Sequence, residues 1–297
     1  MPAVSEPLSF PASQVGLELA LGGFIQLLPN IAGYVGADHV AVILATRLWV
    51  ASQPSIAIDI GTNTKISLAV DRRLYSCSCA SGSAFEGAHI HDGMCAAPGA
   101  IERVQLIHDD IRIYTIGDQP PVGICSSGIL DVVAELLRNG ILDENGALNP
   151  SHPRVQPSRR GPEFILVPEA DTAHGRDITI SRRDVNEIQL AKAAIRTGID
   201  VLLEVAGIQA LEVRDWIIAG AFGTYINLES AIRIGLFHQA PLERFRQVGN
   251  AAGIGARQVL LSRQSFNKVA QVALGVNYIE LTTFEGFQQK FLRAMYL

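Results

Sequence analysis

The sequence has no run of about 20 uncharged apolar residues, the length a bilayer-crossing helix needs. Its most apolar stretch, residues 15–50, is interrupted by Glu18, Pro29, Asp38, His39 and Arg47. The opening MPAVSEPLSFPAS lacks the basic start and apolar core of a secretory signal. No membrane association is expected, and the cytoplasm is the expected compartment. Lysine is scarce: of 24 basic residues only 4 are lysine. With a net charge of −5 and no basic stripe interleaved with aromatics, no nucleic-acid partner is expected. Cysteine is sparse as well, at Cys77, Cys79, Cys95 and Cys125. Cys77 and Cys79 are spaced CxC rather than CxxC, and no second pair stands at metal-site spacing. The four therefore read as free thiols before they read as a metal or redox centre. Gly-Lys never occurs, which excludes a P-loop, and there is no internal repeat of fixed period.

What is present is a chain of 297 residues with 48% hydrophobic content, ample for a substantial core. Residues 1–14 read as a loose tail and 15–50 as mostly helical. PSIAIDI and KISLAV are short, apolar and β-branched, and RRLYSCSCA adds a third strand. RVQLIHDDIRIYTIG reads as two more strands. GICSSGILDVVAELLRNG is an amphipathic helix with its entry turn. Residues 141–162, rich in Pro, Ser and Arg, read as an exposed loop. A strand EFILV follows, then a strand and long helix over 178–207, where Asp184 and Glu187 have capping-box spacing. DWIIAGAFGTYINLESAIRIGL reads strand, glycine turn, helix. Strands first, then alternating strand and helix, predict a mixed-sheet α/β layer fold.

Three glycine-rich turns carry the candidate chemistry. Asp59, Gly61, Thr62, Asn63 and Thr64 crowd a hairpin between two strands. Small residues there expose backbone amides that form an anion-binding concavity. The two threonines add hydroxyls, and Asp59 at a strand end suits a water-shelled magnesium ion. The plainer reading is an ordinary polar hairpin. Ser126 and Ser127 open a helix, whose N-terminus attracts anions, and they serve equally well as plain N-caps. Gly220, Ala221, Phe222 and Gly223 follow a strand and lead into a helix. They allow a flat ligand to reach the backbone, or simply tight strand-to-helix packing. His89, His91, Asp92 and Cys95 form a candidate metal group that is more simply a set of polar loop positions.

The order of these motifs resembles the actin, sugar-kinase and heat-shock-chaperone ATPase superfamily. More closely, SGSAFEGAHIHDGMCAAPGAIERV, PVGICSSGILDVVAELL, QLAKAAIRTGIDVLL, IIAGAFGTYINLESAIRIGL and LPNIAGYVGADHVAVILA are similar to the ATP-binding domain of the reductive activators of corrinoid proteins. The resemblance spans about residues 25 to 260. It implies a ribonuclease-H-like mixed sheet flanked by helices, forming one lobe of an actin-like ATPase. It implies ATP and Mg2+ as ligands, with Asp59–Thr64 as a phosphate element and Gly220–Gly223 as the adenosine element. Lys192, in the QLAKAAI stretch, is implied to lie near the nucleotide, and Glu86 is either cleft machinery or a capping group. The implied partner is a corrinoid protein of a methyltransferase system, whose cob(II)alamin is reduced with ferredoxin-linked electrons. Members of this family also carry an iron–sulfur module and a first lobe with its own DxGT hairpin. This sequence has no such cysteine run and only one DxGT hairpin, at 59–62, so residues 1–50 are expected to be the remnant of that first lobe, 51–297 the second lobe, and the chain a fragment or truncated homologue. Thr64 departs from the glycine usual after the asparagine. Two other functions fit the same motifs: a non-catalytic interaction module that contacts a corrinoid protein or homodimerises through residues 15–50, and a small-molecule kinase of the same superfamily.

Overall fold

The computed structural model describes residues 6–107 and 110–297. The chain begins with an antiparallel ribbon of β1 (Leu8–Pro11) and β2 (Phe24–Leu27), then α1 (Ala37–Ala45). The helical expectation for 15–50 therefore holds only for α1 and a short 3-10 turn at Leu48–Val50. Gly16 and Gly22 adopt left-handed backbone at φ 73° and 82°, which breaks any helix before it reaches Pro29.

The central sheet grows from three consecutive antiparallel strands, β3 (Ser55–Asp59), β4 (Thr64–Val70) and β5 (Arg73–Cys79). β6 (Ala100–Ile107), β7 (Asp110–Thr115) and β8 (Gly123–Ile124) form a second, three-stranded sheet that leads into α2 (Ser126–Arg138). A third sheet of β9 (Val155–Ser158), β10 (Gly161–Val167) and β11 (Ile178–Ser181) precedes α3 (Arg182–Ala206). The stretch expected as an exposed loop thus contains strand β9, and before it Leu142 and Leu148 are buried and bridged to each other. Burying those two leucines anchors a segment whose composition alone reads as loop. At α3 the capping box is Ser181 with Asp184, one turn earlier than the expected Asp184 and Glu187.

The chain then returns to the central sheet. β12 (Asp215–Ala219) lies parallel beside β3, followed by α4 (Leu228–Arg233). β13 (Phe245–Gly249) lies parallel beside β12, followed by α5 (Ala251–Leu261) and α6 (Arg263–Leu274). β14 (Val276–Tyr278) pairs with the far edge of β5, and α7 (Phe287–Ala294) ends the chain against α3. The resulting order, β13-β12-β3-β4-β5-β14, is a mixed sheet flanked by helices: β3, β4 and β5 pair antiparallel, while β12, β13 and β14 join it through parallel pairings.

Alternation along each strand divides the core in two. Ile56, Ile58, Ile66, Leu68, Cys77, Cys79, Trp216 and Ile218 face the larger cluster, shared with α2 and α3. Ala57, Ala69, Leu74, Ile217 and Ala219 face a smaller cluster under α1, α5 and α6. Strands apolar on both faces read as continuous hydrophobic runs, which is why SIAID and DWIIA look like strands at all.

One polar group crosses the smaller interface. His39 of α1 is fully buried, with Nε2 2.7 Å from Ser67 Oγ, and Ser67 Oγ in turn bonds Ser76 Oγ. Burial lowers the His39 pKa from 6.5 to about 4. The neutral form is the one the fold accepts, so the associated stability is present above 6.5 and is lost as pH falls through that window. The unfolding free energy from urea titrations should fall between pH 6.5 and 4, by up to about 1.4 kcal/mol per pH unit from this group. His39→Asn should flatten that part of the profile; an unchanged slope would remove His39 from it.

Candidate functional site

β3 carries Asp59 to the end of the central sheet and β4 leaves from Thr64, so four residues must reverse the chain. Two of their carbonyls are held inward. Ser81 Oγ donates to the Gly61 carbonyl at 2.9 Å, and the Gly82 amide donates to the Thr62 carbonyl at 3.0 Å. Thr64 is fully buried, with its hydroxyl 2.8 Å from Ser81 Oγ. Among the described residues, the amides of Gly61, Thr62 and Asn63 find no acceptor. Nothing lies within 4 Å of where a Gly61 Cβ would stand. The turn is therefore a row of unpaired N–H groups beside open space. Of the two threonine hydroxyls expected there, Thr62 is exposed, while Thr64 shapes the turn from inside.

The second turn is locked onto the first. Ile60 N–H donates to the Ala219 carbonyl at 3.1 Å, and Gly220 N–H donates to the Gly249 carbonyl at 3.0 Å. Gly220 has φ 94°, and a Cβ there would stand 2.3 Å from the Ile60 carbonyl and 3.2 Å from Asp59 Oδ1. A Cβ on Gly223 would stand 2.9 Å from the Ile218 side chain. Both glycines thus let backbone approach backbone or core, rather than baring a surface for a flat ligand. Ala221 is exposed, and Phe222 is half-buried against Phe85, with ring centroids 4.9 Å apart.

The segment Ser81–Gly87 closes the third side. Besides Ser81 and Phe85 it brings Glu86, whose Oε1 accepts from Thr62 Oγ1 at 2.5 Å. Next to Gly249, whose carbonyl holds the Gly220 amide, Asn250 caps α5 by accepting from Gly253 N–H at 2.8 Å. Ser81, Phe85 and Asn250 are absent from the sequence-based site. Asn250 follows a strand and precedes GIG, the same strand–small residue–helix pattern that marks the Gly220 turn, so its signal was available.

Beyond the Gly220 turn, Ser127, Glu102, Arg103, Asp131, Tyr225 and Asn227 line part of a cavity of about 540 Å³. Ser127 is buried and Ser126 half-buried. Neither caps α2, whose N-cap is Cys125, so the plain capping role is not theirs. Lys192 stands elsewhere. Its ammonium is buried in α3 and donates to the Tyr296 carbonyl, while burial and then Arg196 lower its pKa to about 8. Its hydrogen bond is spent on the last residues of the chain, not on the turns. His91 and Asp92 pair at 3.1 Å, and Asp92 also accepts from Thr179 N–H at 2.8 Å. No cluster of three or more His, Cys, Asp or Glu able to hold a metal ion exists among the described residues.

Asp59 is half-buried, and no cation pairs with it among the described residues. Burial, then the nearby Asp38 carboxylate, push its carboxyl above the usual range; Lys65 opposes the shift but lies 3.6 Å from Asp38. A desolvated, unneutralised carboxylate beside unpaired amides has the donor set for a hard cation bridged to an anion.

Comparison with known proteins follows the same lines. The family described as the C-terminal domain of RACo, the ASKHA domain, matches residues 53–297, and the RACo middle region matches residues 1–50. The chain belongs to the RACo family. A corrinoid activation enzyme, RamQ, from Eubacterium limosum is 34% identical over 97% of this chain and 50% of its own length. A [Co(II) methylated amine-specific corrinoid protein] reductase from Methanosarcina barkeri is 27% identical over 95% of the chain and 53% of its own length. The solved reductive activator for corrinoid, iron–sulfur protein superposes with a TM-score of 0.91 at 36% identity, covering 100% of this chain and 48% of that one. This RACo-family chain therefore spans about half the length of the relatives it matches, and its fold is that of an actin-like ATPase.

Because the ionised form of Asp59 is disfavoured by burial, the stability tied to its neutral form is present at low pH and lost as pH rises through its raised pKa. Asp59→Asn should therefore unfold at a higher urea concentration than the parent chain at pH 7, with the difference shrinking towards pH 4. A lower midpoint at pH 7 would show that the carboxylate is neutralised within the fold.

Proposed function

We propose that this chain binds Mg-ATP at the joined turns and forms the nucleotide-driven half of a cytoplasmic protein that reductively activates a corrinoid methyltransferase partner. The observation that carries this reading is the row of unpaired amides at 61–63, set beside the unneutralised Asp59 and closed by the Gly220 turn. The Gly61, Thr62 and Asn63 amides would hold the phosphates, with the Thr62 hydroxyl beside them. Asp59 would hold magnesium through water. Magnesium bound there supplies charge neutralisation for phosphoryl transfer to water. Ala221 and Phe222, with the cavity lined by Ser127, Asp131 and Tyr225, would receive the nucleoside. In this reading residues 1–50 complete a preceding lobe, and electrons reach cob(II)alamin from a ferredoxin-linked iron–sulfur module, while nucleotide-driven movement gates their delivery. The relatives' names, which describe corrinoid activation and corrinoid-protein reduction, support this assignment.

Isothermal titration should give a micromolar Kd for Mg-ATP, about −8 kcal/mol. Asp59→Ala should weaken it at least about tenfold, about 1.4 kcal/mol, without loss of fold. Absence of any binding by the parent chain would overturn the reading.

A second reading, a homodimer or docking module, is favoured by one surface. Val15, Leu17, Leu19, Leu21 and Phe24 are all more than half exposed, and Leu21 is fully so. They lie on and around a two-stranded ribbon, a structure barely stable alone in water. Sedimentation should show a dimer that Leu21→Glu with Phe24→Glu dissolves; a monomeric parent chain would exclude this interface.

A further inference from the structure

We propose that Glu86 makes polyphosphate binding at the 61–63 turn conditional on a divalent cation. The inference rests on the nucleotide reading above and assigns the residue that sets its cation requirement. Thr62 presents two polar groups at one place. Its amide is among the three without an acceptor, and its hydroxyl donates to Glu86 Oε1 at 2.5 Å. An anion that reaches those amides therefore comes within about one hydrogen bond of a carboxylate. Like charges at that separation repel. Among the described residues no lysine or arginine pairs with Glu86 or with Asp59, and Lys65, the cation nearest the turn in sequence, lies against Asp38.

The placement of Glu86 is enforced by its neighbours rather than by its own burial. It ends the 3-10 turn Ala84–Glu86, yet no side chain caps that turn, so the capping role fails. Phe85 before it is buried and stacked on Phe222. Gly87 after it has φ 80°, and a Cβ there would stand 2.8 Å from the Met94 carbonyl oxygen. The backbone on both sides is thus pinned, one side against the Gly220 turn, while the carboxylate stays exposed over Thr62. Asp59 lies at the base of the hairpin and Glu86 at its rim. A polyanion arriving alone meets two carboxylates that no ion pair neutralises among the described residues; arriving with a divalent cation, it brings positive charge to both.

The test is ATP affinity of the full chain, measured in excess EDTA and in excess magnesium, for the parent and for Glu86→Gln. Glutamine keeps the acceptor for the Thr62 hydroxyl, so only charge changes. The parent should bind far more weakly in EDTA. Glu86→Gln should tighten binding in EDTA about tenfold or more, the worth of one unit charge a few ångström from an anion near a protein surface, and so narrow the magnesium-to-EDTA ratio by that factor. Glu86→Asp should keep most of the parent's ratio, and the melting temperature without nucleotide should not move. If the parent binds Mg-ATP and Glu86→Gln leaves the ratio unchanged, the role of Glu86 is overturned while the nucleotide reading stands. If the parent binds ATP equally with and without magnesium, the proposal is overturned too. If the parent binds ATP under neither condition, the nucleotide reading falls, and this inference with it.

Discussion

The structure depends on how closely two strand ends can approach. β3 and β12 run parallel, so their C-terminal ends meet at one edge of the sheet, and the chain must turn away from both in the same small volume. The Ile60 amide bonds the Ala219 carbonyl, and the bare Cα of Gly220 sits over the Ile60 carbonyl. Any larger residue at 220 would push the turns apart. With the two turns locked, the carbonyls of Gly61 and Thr62 are used up inside and the amides of residues 61–63 are left outside. The anion binding proposed for the site rests on that partition of donors and acceptors more than on any charged side chain.

The same edge collects the electrostatic tension of the molecule. Asp59 is partly desolvated and lies near Asp38, and Glu86 faces Thr62 from the other side. A fold under no functional demand gains nothing from two unneutralised carboxylates beside a row of free amides. Such a site is unfavourable to an anion alone or a cation alone, and suited to both together. It ties ligand chemistry to the geometry of a sheet whose other polar insertion, His39 against Ser67, is neutral and buried.

The segment Ser81–Gly87 links the parts. It ties the hairpin through Ser81, Gly82 and Glu86, and it ties the Gly220 turn through the stacking of Phe85 on Phe222. The hairpin turn and the Gly220 turn are thereby connected through one short stretch of chain. The N-terminal ribbon stands apart in character, with apolar side chains facing outward where the rest of the protein turns them in.

The strands β3, β4, β5 and β12, helix α2 and the presence of three small-residue turns were legible in the sequence, because strands buried on both faces read as short apolar runs and helical periodicity leaves a local imprint on residue choice. So was membership of an ATPase lineage, since several long motifs keep their order. Tertiary structure alone decided the rest. Whether residues 15–50 were helix or ribbon turned on left-handed glycines and on which leucines found a partner. Leu142 and Leu148 made an ordered anchor out of a loop-like stretch by being buried together. Thr62 and Thr64 are two residues apart and chemically alike, yet one is open to solvent and the other closed, a difference set by Ser81, seventeen residues beyond Thr64. Lys192 went to the carbonyl of Tyr296 because α7 folds back on α3, a contact across 104 residues that no local pattern encodes. Sequence specifies which groups each segment can offer; which of them remain unpaired at one place is decided only when distant segments have consumed the others.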